Sequence, residues 1–103
     1  MTARMPQQQE ERMGLDLRVE RLMKFDGEGP TKALADVAIN EHFLIRSVRV
    51  IDGKNGLFVS MPRQKRKDGQ WFDLVQALNK DAKLSLEHAV LGAYRRELET
   101  ATV

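Results

Sequence analysis

The sequence predicts an α+β fold: an antiparallel, meander-like sheet of about five strands followed by one C-terminal α-helix. Three observations carry this expectation. From Leu15 onward, short apolar runs alternate with polar residues at period two, the spacing of half-buried strands. Clusters of Gly, Asn, Asp and Pro separate those runs, as turns require. After Asn79 the apolar spacing changes to three and four, the period of an amphipathic helix.

Residues 1–13 have no apolar period and carry the triplet Gln7-Gln8-Gln9 after Pro6, so residues 1–14 are expected to form a flexible extension. Leu15, Leu17 and Val19 alternate with Asp16, Arg18 and Glu20 and mark the first strand. Asp26-Gly27-Glu28-Gly29-Pro30 ends it, because glycine tolerates positive φ and proline cannot donate to a ladder. Ala33, Ala35, Val37 and Ile39 form the second strand, and Asn40-Glu41-His42 is a short connection. Phe43–Ile51 is a third strand whose alternation breaks at Arg46-Ser47, which signals a β-bulge or a change in the buried face.

Asp52-Gly53-Lys54-Asn55-Gly56 predicts a hairpin, with Asn55-Gly56 as the turn pair because both tolerate positive φ. Leu57–Met61 is the fourth strand, stopped by Pro62. Residues 63–67 read as a basic loop closed by an Asp68-Gly69 turn, ahead of a short fifth strand over Trp71–Val75. From about Asn79 a helix is expected, with Leu86, Ala89, Val90, Ala93 and Tyr94 on one face. Asn79, Asp81 and Ser85 can each cap it, and no glycine stops it, so it is expected to fray after Leu98. The chain divides into an extension (1–14), one domain without linker or internal repeat (15–99) and a frayed C-terminus (100–103).

A chain of 103 residues allows a single domain with a thin core, which gives a first reason to expect a homodimer. The absence of cysteine excludes disulfides, thiolate metal sites and cysteine nucleophiles, and suits a reducing compartment. No apolar run is long enough to cross a bilayer, and the polar N-terminus lacks an export signal, so the expected location is the cytoplasm, without membrane contact. Seventeen Lys and Arg against fifteen Asp and Glu leave a net charge of +2, too little to argue for nucleic acid without knowing where the charges sit. Catalysis finds no support. His42 and His88 have no partners at metal-ligand spacing, and His88, four residues after Leu84, reads as a half-buried helix position. Ser47, Ser60 and Ser85 lack a nucleophile elbow, and neither glycine cluster opens a helix as a phosphate cradle does. The reading is a non-enzyme with no cofactor, no metal and no small-molecule substrate.

The fourteen residues from Arg49 to Pro62 (RVIDGKNGLFVSMP) closely resemble the hallmark stretch of the SpoVG (stage V sporulation protein G) family, the septation regulators. The following basic segment with Lys65 and Arg66, the Asp68-Gly69 turn, Trp71 and Asp73-Leu74-Val75 fits the same pattern. So do Leu17–Leu22 and the helical stretch Ala89–Tyr94, and the resemblance spans roughly residues 15–98. It implies a dimer of small β-rich subunits with a C-terminal helix that binds DNA and RNA, and a bacterial regulatory role in septation, sporulation, virulence or cell-surface gene expression. It also implies nucleic-acid contact at Lys65 and Arg66. The chain departs from the family at Arg63 (commonly serine), Lys67 (commonly proline), Phe72 (often basic), Gln76-Ala77 (histidine-proline) and Glu20 (often basic). The positive charge is thereby concentrated in residues 63–67.

Within that segment Arg63, Lys65, Arg66 and Lys67 give four positive charges and no negative one. They suit phosphate contact through charge-assisted hydrogen bonds, or else a solvated loop guarding a strand edge. Arg46 and Arg49 flank the phase break and extend the basic surface if they face the same way. Lys54 is turn chemistry, and Arg95 and Arg96 complement the helix dipole. Trp71 and Phe72, being adjacent in a strand, must face opposite ways: one belongs to the core, the other to a dimer contact, which the thin core favours, or to a base-stacking platform. The expected function is a dimeric regulator binding DNA or RNA through a basic loop. The rival is a protein-interaction module using a sheet edge or an apolar face.

Overall fold

The computed structural model describes residues 15–101, so the expected extension 1–14 lies outside the described residues. Strands β1 (Leu17–Lys24), β2 (Thr31–Ile39), β3 (Phe43–Gly53) and β4 (Gly56–Ser60) form one antiparallel sheet in sequence order. Strands β5 (Arg63–Lys65) and β6 (Trp71–Asp73) form a separate hairpin. Helix α1 (Lys80–Ala101) follows. This is the α+β meander with a C-terminal helix that the alternation and the change of period predict.

The core lies between one face of the sheet and α1. Ala33, Ala35 and Val37 from β2, Ile45, Val48 and Val50 from β3, and Leu86, Val90 and Tyr94 from the helix are buried together. The three helical residues are four apart and share one face. The helix lies chiefly over β1 and β4, the two edge strands, and so crosses the sheet. Its start is settled by Asn79, whose Oδ1 accepts the Ala82 N–H at 2.8 Å. It runs to Ala101, beyond Leu98. His88 is exposed and not half-buried, because it lies outside the Leu86–Val90–Tyr94 face that meets the sheet.

The phase break in β3 is a bulge. Val37 pairs with Ile45 and Ala35 with Val48, so Asp36 alone faces both Arg46 and Ser47. Ser47 takes φ 65°, and its N–H donates to Asp36 Oδ1 at 3.3 Å. The extra residue keeps Ile45 and Val48 on the buried face although they are three apart. A second bulge meets the same aspartate from the other side: Val19 pairs with Val37 and Arg21 with Asp36, leaving Glu20 as the insertion. Val19 and Leu22 thus both pack against the core.

Two turns and one strand differ from expectation. In the Gly53–Gly56 hairpin only Gly56 has positive φ, 115°; the two loop residues are Lys54 and Asn55, and Asn55 is not left-handed. A right-handed turn followed by a left-handed glycine fits the strand twist as well as an Asn-Gly pair does. Positive φ falls instead on Asn40 (53°) and Glu41 (64°), closed by His42 N–H to Ile39 C=O at 2.9 Å. The basic segment, expected as a loop, contains strand β5. Its partner ends at Asp73 and not Val75: Leu74 N–H still bonds Pro62 C=O at 2.8 Å, but proline has no N–H to return.

Candidate nucleic-acid interface

The hairpin is set by its turn. Gly69 at φ 92° lets its N–H reach Arg66 C=O at 3.0 Å, Arg66 N–H bonds Gln70 C=O at 2.7 Å, and Asp68 Oδ1 accepts the Gln70 N–H at 3.0 Å. The register pairs Arg63 with Asp73, Gln64 with Phe72 and Lys65 with Trp71. Residues directly opposite share a face, so Arg63, Lys65, Trp71 and Asp73 lie on one side and Gln64 and Phe72 on the other. Arg66 joins the second side, with its guanidinium 5.1 Å from the centre of the Phe72 ring. The basic pair that the resemblance singles out is therefore split: Lys65 shares a face with Trp71, while Arg66 caps Phe72. Lys67 is exposed in the turn.

The bulge decides what the hairpin faces. On a regular strand, residues three apart point to opposite sides. The extra residue at Ser47 puts Arg46 and Arg49 on the same side, the sheet face away from α1. There Arg46, Ser47, Arg49, Pro62, Arg63 and Trp71 line one concavity of about 340 Å³. Three arginines and an aromatic converge with no carboxylate in the lining. Among the described residues neither Arg46 nor Arg49 has an ion-pair partner. Arg63 Nε lies 3.2 Å from Asp73 Oδ1, a half-exposed pair that fixes the guanidinium more than it stabilises the fold.

Some charges outside this hollow are committed elsewhere or cancel. Arg18 meets Glu41 at 2.8 Å and Asp16 at 3.9 Å, and the hydrogen bond and charge of Glu41 hold its guanidinium above its ordinary pKa. A larger hollow of about 420 Å³ between β4 and the start of α1 mixes Arg63 and Lys83 with Asp73 and Glu87 around Val75 and Leu86, which gives no net attraction for a polyanion. Among the described residues no three His, Asp or Glu side chains gather as metal ligands, and no helix is long and apolar enough to cross a membrane.

Of the six basic residues chosen from sequence, the fold brings Arg46, Arg49 and Arg63 together, leaves Lys65 on the same hairpin face, and sends Arg66 to the other side and Lys67 to the tip. Sequence reasoning missed Trp71 as a member of the basic hollow. The available signal was the alternation Arg63, Lys65, Trp71, Asp73 across the Asp68-Gly69 turn, which reads as a hairpin once residues 63–65 are taken as a strand.

A family profile described as SpoVG matches residues 15–96. The chain is 37% identical over 76 residues to a Listeria monocytogenes protein named septation protein SpoVG 2, covering 74% of each chain. It is 38% identical over 81 residues to the Bacillus cytotoxicus septation protein SpoVG, covering 77% of this chain and 84% of the relative. Identity to the Oceanobacillus iheyensis septation protein SpoVG is 36% over 76 residues, with 74% and 79% covered.

Proposed function

The chain belongs to the SpoVG family, and from that premise we propose that it is a dimeric regulator acting in septation or a sporulation-type process by binding nucleic acid through the Arg46–Arg49–Arg63 hollow. The observation that carries this reading is the convergence of three arginines between a bulged strand and a hairpin, with no carboxylate in the lining and only Arg63 paired to one beside it. Guanidinium groups donate paired hydrogen bonds to phosphate oxygens and keep their charge at any physiological pH. Lys65 and Lys67 extend the positive surface along the hairpin. Such a surface reads the phosphate backbone, with modest sequence preference.

Dimerisation is supported by apolar surface that the monomer leaves open. Leu78 is 92% exposed and Phe43 74% exposed, and among the described residues nothing pairs with the outer edges of β1 and β4. A second copy would double the cationic surface.

The test is a salt titration of binding to a mixed-sequence DNA duplex and to the matching single-stranded RNA. Affinity should fall linearly in log salt, by about 0.9 per phosphate contact on duplex DNA and about 0.7 on a single strand. Arg46→Ala with Arg49→Ala should flatten the duplex slope by about 1.8 on the same scale, while the unfolding midpoint stays put. A second reading, a protein-docking module, is favoured by Met23, Leu44 and Phe58, each more than two-fifths exposed on the face away from α1. Binding that survives high salt and follows substitutions of those three residues would select it.

A further inference from the structure

We propose that Trp71 is a stacking platform for one unpaired nucleobase, with Arg46, Arg49 and Arg63 holding the flanking phosphates, so that single-stranded nucleic acid is the preferred partner. This rests on the nucleic-acid reading above and names the partner that the same site takes.

Trp71 is 55% exposed, although indole is the side chain that gains most from burial. Its neighbour Phe72 is the half-buried member of the pair and is covered by Arg66, so the hairpin does not use Trp71 for its own packing. Instead Trp71 lines a hollow otherwise made of three arginines, a serine and a proline. An indole amid cations offers a π-face for a base while the guanidinium groups take the charge of its phosphates. A volume of about 340 Å³ is at the lower end of small-ligand sites, which run from about 300 to 1,000 Å³, and suits about one nucleotide. Lys65, the cross-strand neighbour of Trp71, lies on the same hairpin face and adds a further positive charge there. In a duplex the base faces are occupied by their neighbours in the stack, so a duplex can use the arginines but not Trp71.

Trp71 is the single tryptophan of the chain, so its emission reports on this site alone. The full chain is titrated with an oligouridylate or oligothymidylate, with the same strand carrying abasic sites, and with a duplex of equal length. The base-bearing strand should quench Trp71 emission and bind roughly 5- to 150-fold tighter than the abasic strand, the range expected for stacking of one base. Trp71→Ala should remove that advantage and weaken binding of the base-bearing strand far more than of the duplex, and Trp71→Phe should restore most of the loss. Equal affinity for base-bearing and abasic strands, at equal salt slope, would overturn the stacking role while leaving phosphate binding intact. Failure of all three to bind at low salt would overturn both. An emission shift on protein dilution, without nucleic acid, would place Trp71 in a contact between copies and also overturn the proposal.

Discussion

The sheet beneath α1 and the β5–β6 hairpin keep their shapes by different means. In the first, alanine, valine and leucine side chains from β2, β3 and the helix close on one another, and no charged residue is buried among the described residues. In the second, among the described residues, no Cα of either strand comes within 8 Å of a strand outside the hairpin or of the helix. The hairpin is held by its own turn, by the Arg63–Asp73 pair and by Arg66 over Phe72. One region stores the stability, and the other carries four of the six candidate cations and the exposed tryptophan. Substitutions should therefore separate cleanly into those that unfold the chain and those that only disarm it.

The largest effect that tests this division is expected in the core. Val90→Ala removes two fully buried methyl groups and should cost roughly 2–4 kcal/mol in denaturant unfolding. The folded fraction should still bind nucleic acid with unchanged affinity. A loss of affinity per folded molecule would break the comparison by linking core and hairpin.

A sharper contrast comes from one substitution made in both regions. Gly56 (φ 115°) and Gly69 (φ 92°) both occupy the left-handed region, and an added Cβ meets no atom within 4 Å at either, so alanine brings backbone strain and no clash. Gly56→Ala should lower stability by about 1–3 kcal/mol, because its strain falls on the sheet. Gly69→Ala should leave the main unfolding transition in place and weaken binding, since its strain is spent on the hairpin alone. Circular dichroism and a binding isotherm on both variants decide it.

The smallest effect is expected where the two regions meet. Asp36→Ala removes the acceptor of the Ser47 N–H and should cost about 1 kcal/mol. It should also weaken binding, because the bulge it pins is what turns Arg46 and Arg49 to one side. Unchanged affinity would show that the bulge holds without Asp36.

The sheet was legible because its strands are half-buried, and burial on one face writes period two into the residues. Strand β5 was not, because both its faces are exposed and Arg63-Gln64-Lys65 carries no apolar alternation to read. The phase break at Arg46-Ser47 was visible, but the sequence left open whether it was a bulge or an exchange of faces. Only the pairing across Asp36 shows that two arginines three apart point the same way. For Trp71 and Phe72, adjacency fixed opposite orientations, yet two aromatic rings in a row give no sign of which is sheltered. His88 reads as half-buried from its spacing to Leu84, but Leu84 is itself 40% exposed and the buried stripe runs through Leu86 instead.

Asp36 stands opposite an inserted residue on each neighbouring strand, Glu20 on one side and Ser47 on the other. A strand that slips by one residue exchanges all its inward and outward side chains. A one-step slip of β3 would drive the guanidinium groups of Arg46 and Arg49 under the helix, among Val37 and Val90, where an unpaired charge is among the costliest things a protein can bury. The two arginines proposed for phosphate binding would thus also penalise the misaligned sheet. Replacing them with apolar residues would remove a binding surface and, with it, a safeguard on strand alignment.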